Sequence, residues 1–103
     1  DWIRERNARQ FDRCFHPDGV TAQLLAIVTS RPRGDLLRAI DVPALVVHGD
    51  IDPLVTFSGG ERTAECLAGS EFLPLADMGH DIPRHYWGTI IEHVSSLAAR
   101  AGR

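Results

Sequence analysis

Apolar and polar positions alternate in two different rhythms along the chain, and the change of rhythm divides it. The opening segment is rich in Arg and Asp, and its apolar members Ala8, Phe11 and Phe15 recur every three or four residues, which predicts a helix over residues 1–15. His16-Pro17-Asp18-Gly19 interrupts that pattern, because proline and glycine end helices and favour turns. Val20, Leu24, Ile27 and Val28 then fall at i, i+4, i+7 and i+8, predicting a second helix from Val20 to about Thr29 with Asp18 as its acidic cap. Residues 30–34 form a linker, and Asp35 to Ala39 a short helical turn.

From Ala44 the text changes character. Ala44-Leu45-Val46-Val47 is a continuous apolar run with Pro43 before it and Gly49 after it. A run without alternation is how a strand covered on both faces reads, and that points to a parallel sheet flanked by helices. Gly60, Ala64, Leu67 and Ala68 mark a small-residue helix closed by Gly69. A second strand, Glu71 to Leu75, contains Pro74, which cannot donate to a ladder and so places the strand at or near a sheet edge. After the loop at 76–81, Pro83 suits a helix start. Trp87, Ile90, Ile91, Val94, Leu97 and Ala98 then hold helical spacing, with His85, Glu92, His93, Ser96 and Arg100 on the solvent side and Trp87 in the core. Strand, helix, strand, helix is an α/β order. Two parallel strands alone leave two open edges, so the pattern implies neighbouring strands upstream.

Composition narrows the function classes. With 103 residues, 44% hydrophobic and 24% charged, the chain has the make-up of one small folded domain rather than a disordered segment. A net charge of −3 provides no positive surplus to neutralise phosphates, which excludes a basic nucleic-acid footprint. All the cations are Arg, and no apolar run approaches the ~20 residues of a bilayer crossing, so neither nucleic acid nor membrane is an expected partner. Cys14 and Cys66 lack CxxC spacing and read as buried thiols in a reducing, cytoplasmic compartment. The chain opens on Asp1 within a charged helical pattern, and we expect a piece of a longer protein.

In open α/β sheets, reactive groups gather at the carboxyl ends of the strands. The first strand runs into His48-Gly49-Asp50-Ile51-Asp52-Pro53-Leu54-Val55, and the second into Met78-Gly79-His80-Asp81-Ile82-Pro83. An acid after one strand and a histidine after its neighbour belong on the same rim. Asp52 and Asp50 both qualify as the acid by position; Asp52 also fits a turn aspartate that satisfies its own backbone. His48 reads as a packed histidine supporting this rim. A metal set of His48, Asp50 and Asp52 lacks the spacing of known ligand sets, and no metal or cofactor is expected.

The strings HGDIDPLV and MGHDIP, in that order, resemble the C-terminal third of an α/β-hydrolase, with further likeness to small esterases of the methylesterase type. The resemblance implies a fold: the last two parallel core strands with flanking helices over 34–103, preceded by the end of the lid helices over 1–33. It implies roles as well. Asp52 corresponds to the acid of the catalytic triad and His80 to its base, with Asp52 holding the tautomer of a His80 that relays the proton. Histidine suits the relay because its ordinary pKa, ~6.5, lies near working pH.

The family's nucleophile sits on a G-x-S-x-G elbow, and none of Ser30, Ser58, Ser70, Ser95 or Ser96 has that setting. The resemblance therefore implies a parent enzyme that hydrolyses a small apolar ester, with the nucleophile in a missing N-terminal part of the same fold. Three alternatives stay open: a dehalogenase or epoxide-hydrolase relative with an upstream Asp nucleophile, a non-catalytic truncated product, and a binding module. Sequence upstream of Asp1 separates them.

Overall fold

The computed structural model describes residues 1–102 and divides the chain into two units, Asp1–Pro32 and a second from Arg33 onward. The first holds α1 (Trp2–Arg13) and α2 (Pro17–Thr29). The Asp1 carboxylate caps α1 by accepting from the Ile3 N–H at 3.1 Å. The rings of Phe11 and Phe15 stack with centroids 4.7 Å apart. Helix α2 starts three residues before the predicted Val20, and its cap is His16 rather than Asp18: His16 Nδ1 accepts from the Gly19 N–H at 2.8 Å. Pro17 occupies the first helical turn, where a missing N–H costs nothing, so it opens the helix instead of delaying it. Val20, Leu24, Leu25, Ile27 and Val28 of α2 are exposed. Cys14, the residue after α1, is exposed too, contrary to the expectation of a buried thiol.

The second unit is built on two parallel strands, β1 (Leu45–Gly49) and β2 (Glu71–Leu75), paired in register from Leu45 opposite Glu71 to Gly49 opposite Leu75. Helix α3 (Gly34–Arg38) precedes β1, α4 (Phe57–Cys66) crosses between the strands, and α5 (Trp87–Ala101) follows β2 after a 3-10 turn at Arg84–Tyr86. Two bonds lengthen the ladder: Glu71 N–H to the Ala44 carbonyl (2.9 Å) and Asp50 N–H to the Leu75 carbonyl (3.1 Å). Helix α4 packs on both strands and α5 on β1. Cys66, Leu75 and Met78 form the buried core, and the rings of Phe57 and Phe72 meet with centroids 5.6 Å apart.

Four expectations about this unit need correction. Helix α4 stops at Cys66, short of Ala68; the chain then turns through Gly69 at φ +70°, a conformation natural to glycine, and Ser70 Oγ donates back to the Ala64 carbonyl at 3.0 Å. Leu45, Val46 and Val47 of β1 are part-buried rather than covered on both faces, since the sheet has two strands among the described residues. On α5, His93 does not face water alone: its Nδ1 bonds the Glu71 carboxylate, which also accepts from Arg100 Nη2 at 3.0 Å. Arg100 first, then His93, hold the Glu71 carboxyl below its ordinary pKa. This pairing fastens α5 to the first residue of β2. Trp87, expected in the core, is 43% exposed, with the Arg84 guanidinium over its ring, and Ile91 and Val94 are exposed on the same helix. No helix among the described residues is long and apolar enough to cross a membrane.

Candidate active site

The two strands end side by side, and the turns that leave them are stitched together by backbone. Ile51 N–H donates to the Met78 carbonyl at 3.2 Å, so the turn after β1 and the loop after β2 touch before any side chain is considered. Gly49 makes this contact feasible. A Cβ on residue 49 would overlap the carbonyl oxygens of Met78 and Gly79, both backbone atoms with nowhere to swing. On the β2 side, Asp77 takes φ 54°, a left-handed turn that aspartate tolerates. Tyr86 Oη donates to the Ala76 carbonyl at 2.7 Å and pins the start of the same loop.

Asp52 and His80, 28 residues apart in sequence, meet on this rim: Asp52 Oδ2 lies 2.9 Å from His80 Nδ1. The other carboxylate oxygen, Oδ1, accepts from the N–H groups of Leu54 (2.8 Å) and Val55 (3.0 Å). Asp52 is thus at once a turn aspartate bound to its own backbone and a partner for the imidazole. Its side chain is 6% exposed, whereas that of His80 is 54% exposed. Asp50 is exposed on the turn, and the bond from His80 goes to Asp52 instead. Because an ionised carboxylate only accepts, Nδ1 carries the shared proton, which leaves the Nε2 lone pair of His80 available as a base. Next to the pair lies a cavity of about 320 Å³ whose apolar wall includes Val47, Val55, Met78 and Ile82.

The Asp52 carboxyl is lowered from its ordinary 3.8 to about 2. The Val55 N–H is the largest cause; burial opposes it, and the bonds from His80 and Leu54 lower it further. A folded-state pKa below the unfolded one means that this carboxylate stabilises the fold fully above 3.8, and that the contribution disappears as pH falls through about 2. We therefore expect Asp52→Asn to melt well below the parent at neutral pH, and the gap between their melting temperatures to close between pH 3.8 and about 2. Thermal melts across that interval check this.

No serine hydroxyl among the described residues bonds His80. Ser30 donates to the Ala26 carbonyl, Ser58 pairs with Thr56, Ser70 donates to Ala64, and Ser96 accepts from Arg100. Nor does any group of three His, Cys, Asp or Glu side chains among them have the arrangement of a metal site. Sequence reasoning missed two supports of the pair, the close approach at Gly49 and the Tyr86 anchor. Glycine before an acidic turn was visible in the text; the carbonyl that meets it was not.

No family model matches the chain, and no curated protein matches it. Among solved structures it is similar to the crystal structure of an esterase, RhEst1, from Rhodococcus sp. ECU1013, with 29% identity and a TM-score of 0.54 over 62% of this chain. The match covers 25% of the esterase, so the chain spans about a quarter of that protein's length. The two parallel strands and their helices match a C-terminal part of that α/β-hydrolase fold, and the likeness supports a distant α/β-hydrolase-like relationship for this chain.

Proposed function

We propose that this chain supplies the acid and the base of a serine-type carboxylic-ester hydrolase, and that the nucleophile comes from a polypeptide segment outside this sequence. The observation that carries the reading is the 2.9 Å contact between Asp52 Oδ2 and His80 Nδ1, with Oδ1 immobilised by two backbone donors. In this reading, His80 Nε2 removes the proton from a serine hydroxyl as its oxygen bonds to the ester carbonyl carbon. Asp52 stabilises the resulting imidazolium and keeps the ring oriented. His80 then gives the proton to the departing alcohol oxygen as the C–O bond breaks, leaving an acyl-enzyme. Water, activated by the same nitrogen, hydrolyses the acyl-enzyme and restores the serine. The apolar wall beside the pair suits a small apolar ester.

Residues 1–33 are the end of a lid in this reading, and the unpaired edge of β1 receives a preceding strand of the same fold. The exposed apolar side chains on α5 support such additional cover. The test compares this chain alone with the same chain joined to the polypeptide encoded upstream, assayed on a short-chain nitrophenyl ester. We expect no turnover by the chain alone and clear turnover by the joined protein. Hydrolysis by the chain alone, or an inert joined protein, contradicts the proposal.

A further inference from the structure

His48 stands one residue before the close approach at Gly49, near the carboxyl end of β1, and its side chain is only 10% exposed. An aliphatic side chain would fill that place on packing grounds. Instead the ring meets one specific acceptor: His48 Nε2 lies 3.0 Å from the Val55 carbonyl oxygen. A carbonyl only accepts, so Nε2 carries a proton and donates it. The same nitrogen is 3.9 Å from Asp52 Oδ2. Two neighbours restrict the ring. Phe57 lies edge-on to it, with centroids 5.9 Å apart, and a Cβ at Gly60 would come within 2.5 Å of His48 Nδ1.

Val55 is therefore held from both sides, its N–H by Asp52 Oδ1 and its carbonyl by His48 Nε2. We propose that His48 is a positioning residue: by fixing Val55, it keeps the backbone donors on Asp52 Oδ1 and so leaves Oδ2 free to orient His80. This deepens the proposed function and rests on it. His48 lines the same cavity as His80, and its proposed role runs through the turn between Asp52 and Val55. Gly60 belongs to the same device, because only a residue without a side chain lets α4 come this close to the ring.

The test is NMR on the full chain, following the carbon-13 shift of the Asp52 carboxyl with pH and the nitrogen-15 shifts of the His80 ring. For the parent chain we expect an Asp52 midpoint of about 2 and a His80 proton on Nδ1. His48→Leu keeps apolar bulk but removes the donor, and we expect the Asp52 midpoint to climb toward 3.8 with loss of the Nδ1 preference at His80. His48→Gln restores an N–H donor and should recover both readings, which a purely space-filling role would not produce. Gly60→Ala displaces the ring without removing it and should move both in the direction of His48→Leu, so the question stays answerable if His48→Leu fails to fold. An Asp52 midpoint that stays at about 2 in His48→Leu or Gly60→Ala, with His80 unchanged, overturns the positioning role and leaves the acid–base reading intact. A parent chain without the Nδ1 proton instead removes that reading, and the positioning role with it.

Discussion

Replacing His80 by alanine in the protein that carries the nucleophile is expected to lower kcat about 10⁴-fold or more, with KM for a short-chain ester changed by no more than about threefold. The split between the constants follows from the geometry. The imidazole is 54% exposed at the edge of the cavity, and its assigned task is to move a proton, not to grip the ester. Without it the proposed mechanism lacks its base for the serine proton as the tetrahedral intermediate forms. Asp52→Asn should fall in the same range, because an amide facing Nδ1 favours the wrong tautomer. Asp50→Asn is the internal control: exposed on the same turn and outside the bond to His80, it should leave kcat within about threefold of the parent. Steady-state kinetics on the three variants decide among these outcomes. Equal losses at positions 50 and 52 would point to a general effect of charge on the turn.

The second large effect is expected at Gly49, a residue with no chemistry of its own. Gly49→Ala inserts a methyl group into the space taken by the Met78 and Gly79 carbonyl oxygens. Flexible side chains yield to such a clash; backbone carbonyls do so only if the loop lifts. Overpacking of this kind costs about 1–3 kcal/mol, which lowers the melting temperature of a domain this size by roughly 4–24 °C. The lifted loop carries His80, and the Ile51 N–H bond to Met78 is lost with it. Activity of the nucleophile-bearing protein should therefore drop by about 10²-fold even in the fraction that remains folded, since misplacement of a reacting group by about 1 Å is enough for that. Calorimetry and kinetics on the same sample separate the two contributions. An alanine variant that melts with the parent would show that the loop does not cross the strand tip as described.

The parts of this molecule that were legible in its sequence are those governed by short-range period and by chain order. The strand predicted over Glu71–Leu75 stands at those residues, and α5 follows its apolar stripe. The meeting of an acid from the first turn with His80 could be reasoned from strand order, because parallel neighbours bring their carboxyl ends to one rim, while the choice of Asp52 over Asp50 came from the α/β-hydrolase resemblance. What escaped depends on contacts distant in sequence. His93 meets Glu71 across 22 residues, and nothing in the helical period of α5 distinguishes it from a solvated neighbour. The start of α2 turns on a local competition in which the His16 ring, not the Asp18 carboxylate, reaches the Gly19 N–H. Trp87 carries the hydrophobic period of a core residue yet is 43% exposed, because periodicity marks a helix face without fixing how far each residue on it is buried.

The carboxylate of Asp52, 2.9 Å from Nδ1, is expected to set the protonation pattern of the His80 ring. Nitrogen-15 shifts of His80, recorded at a pH where the ring is neutral, test it most directly, because an unconstrained histidine in water prefers the proton on Nε2. The pairing seen here predicts the opposite, Nδ1 protonated and Nε2 bare, with reversion in Asp52→Asn. A His80 ring that carries its proton on Nε2 in the parent chain, unaltered by Asp52→Asn, would show that Asp52 does not orient it.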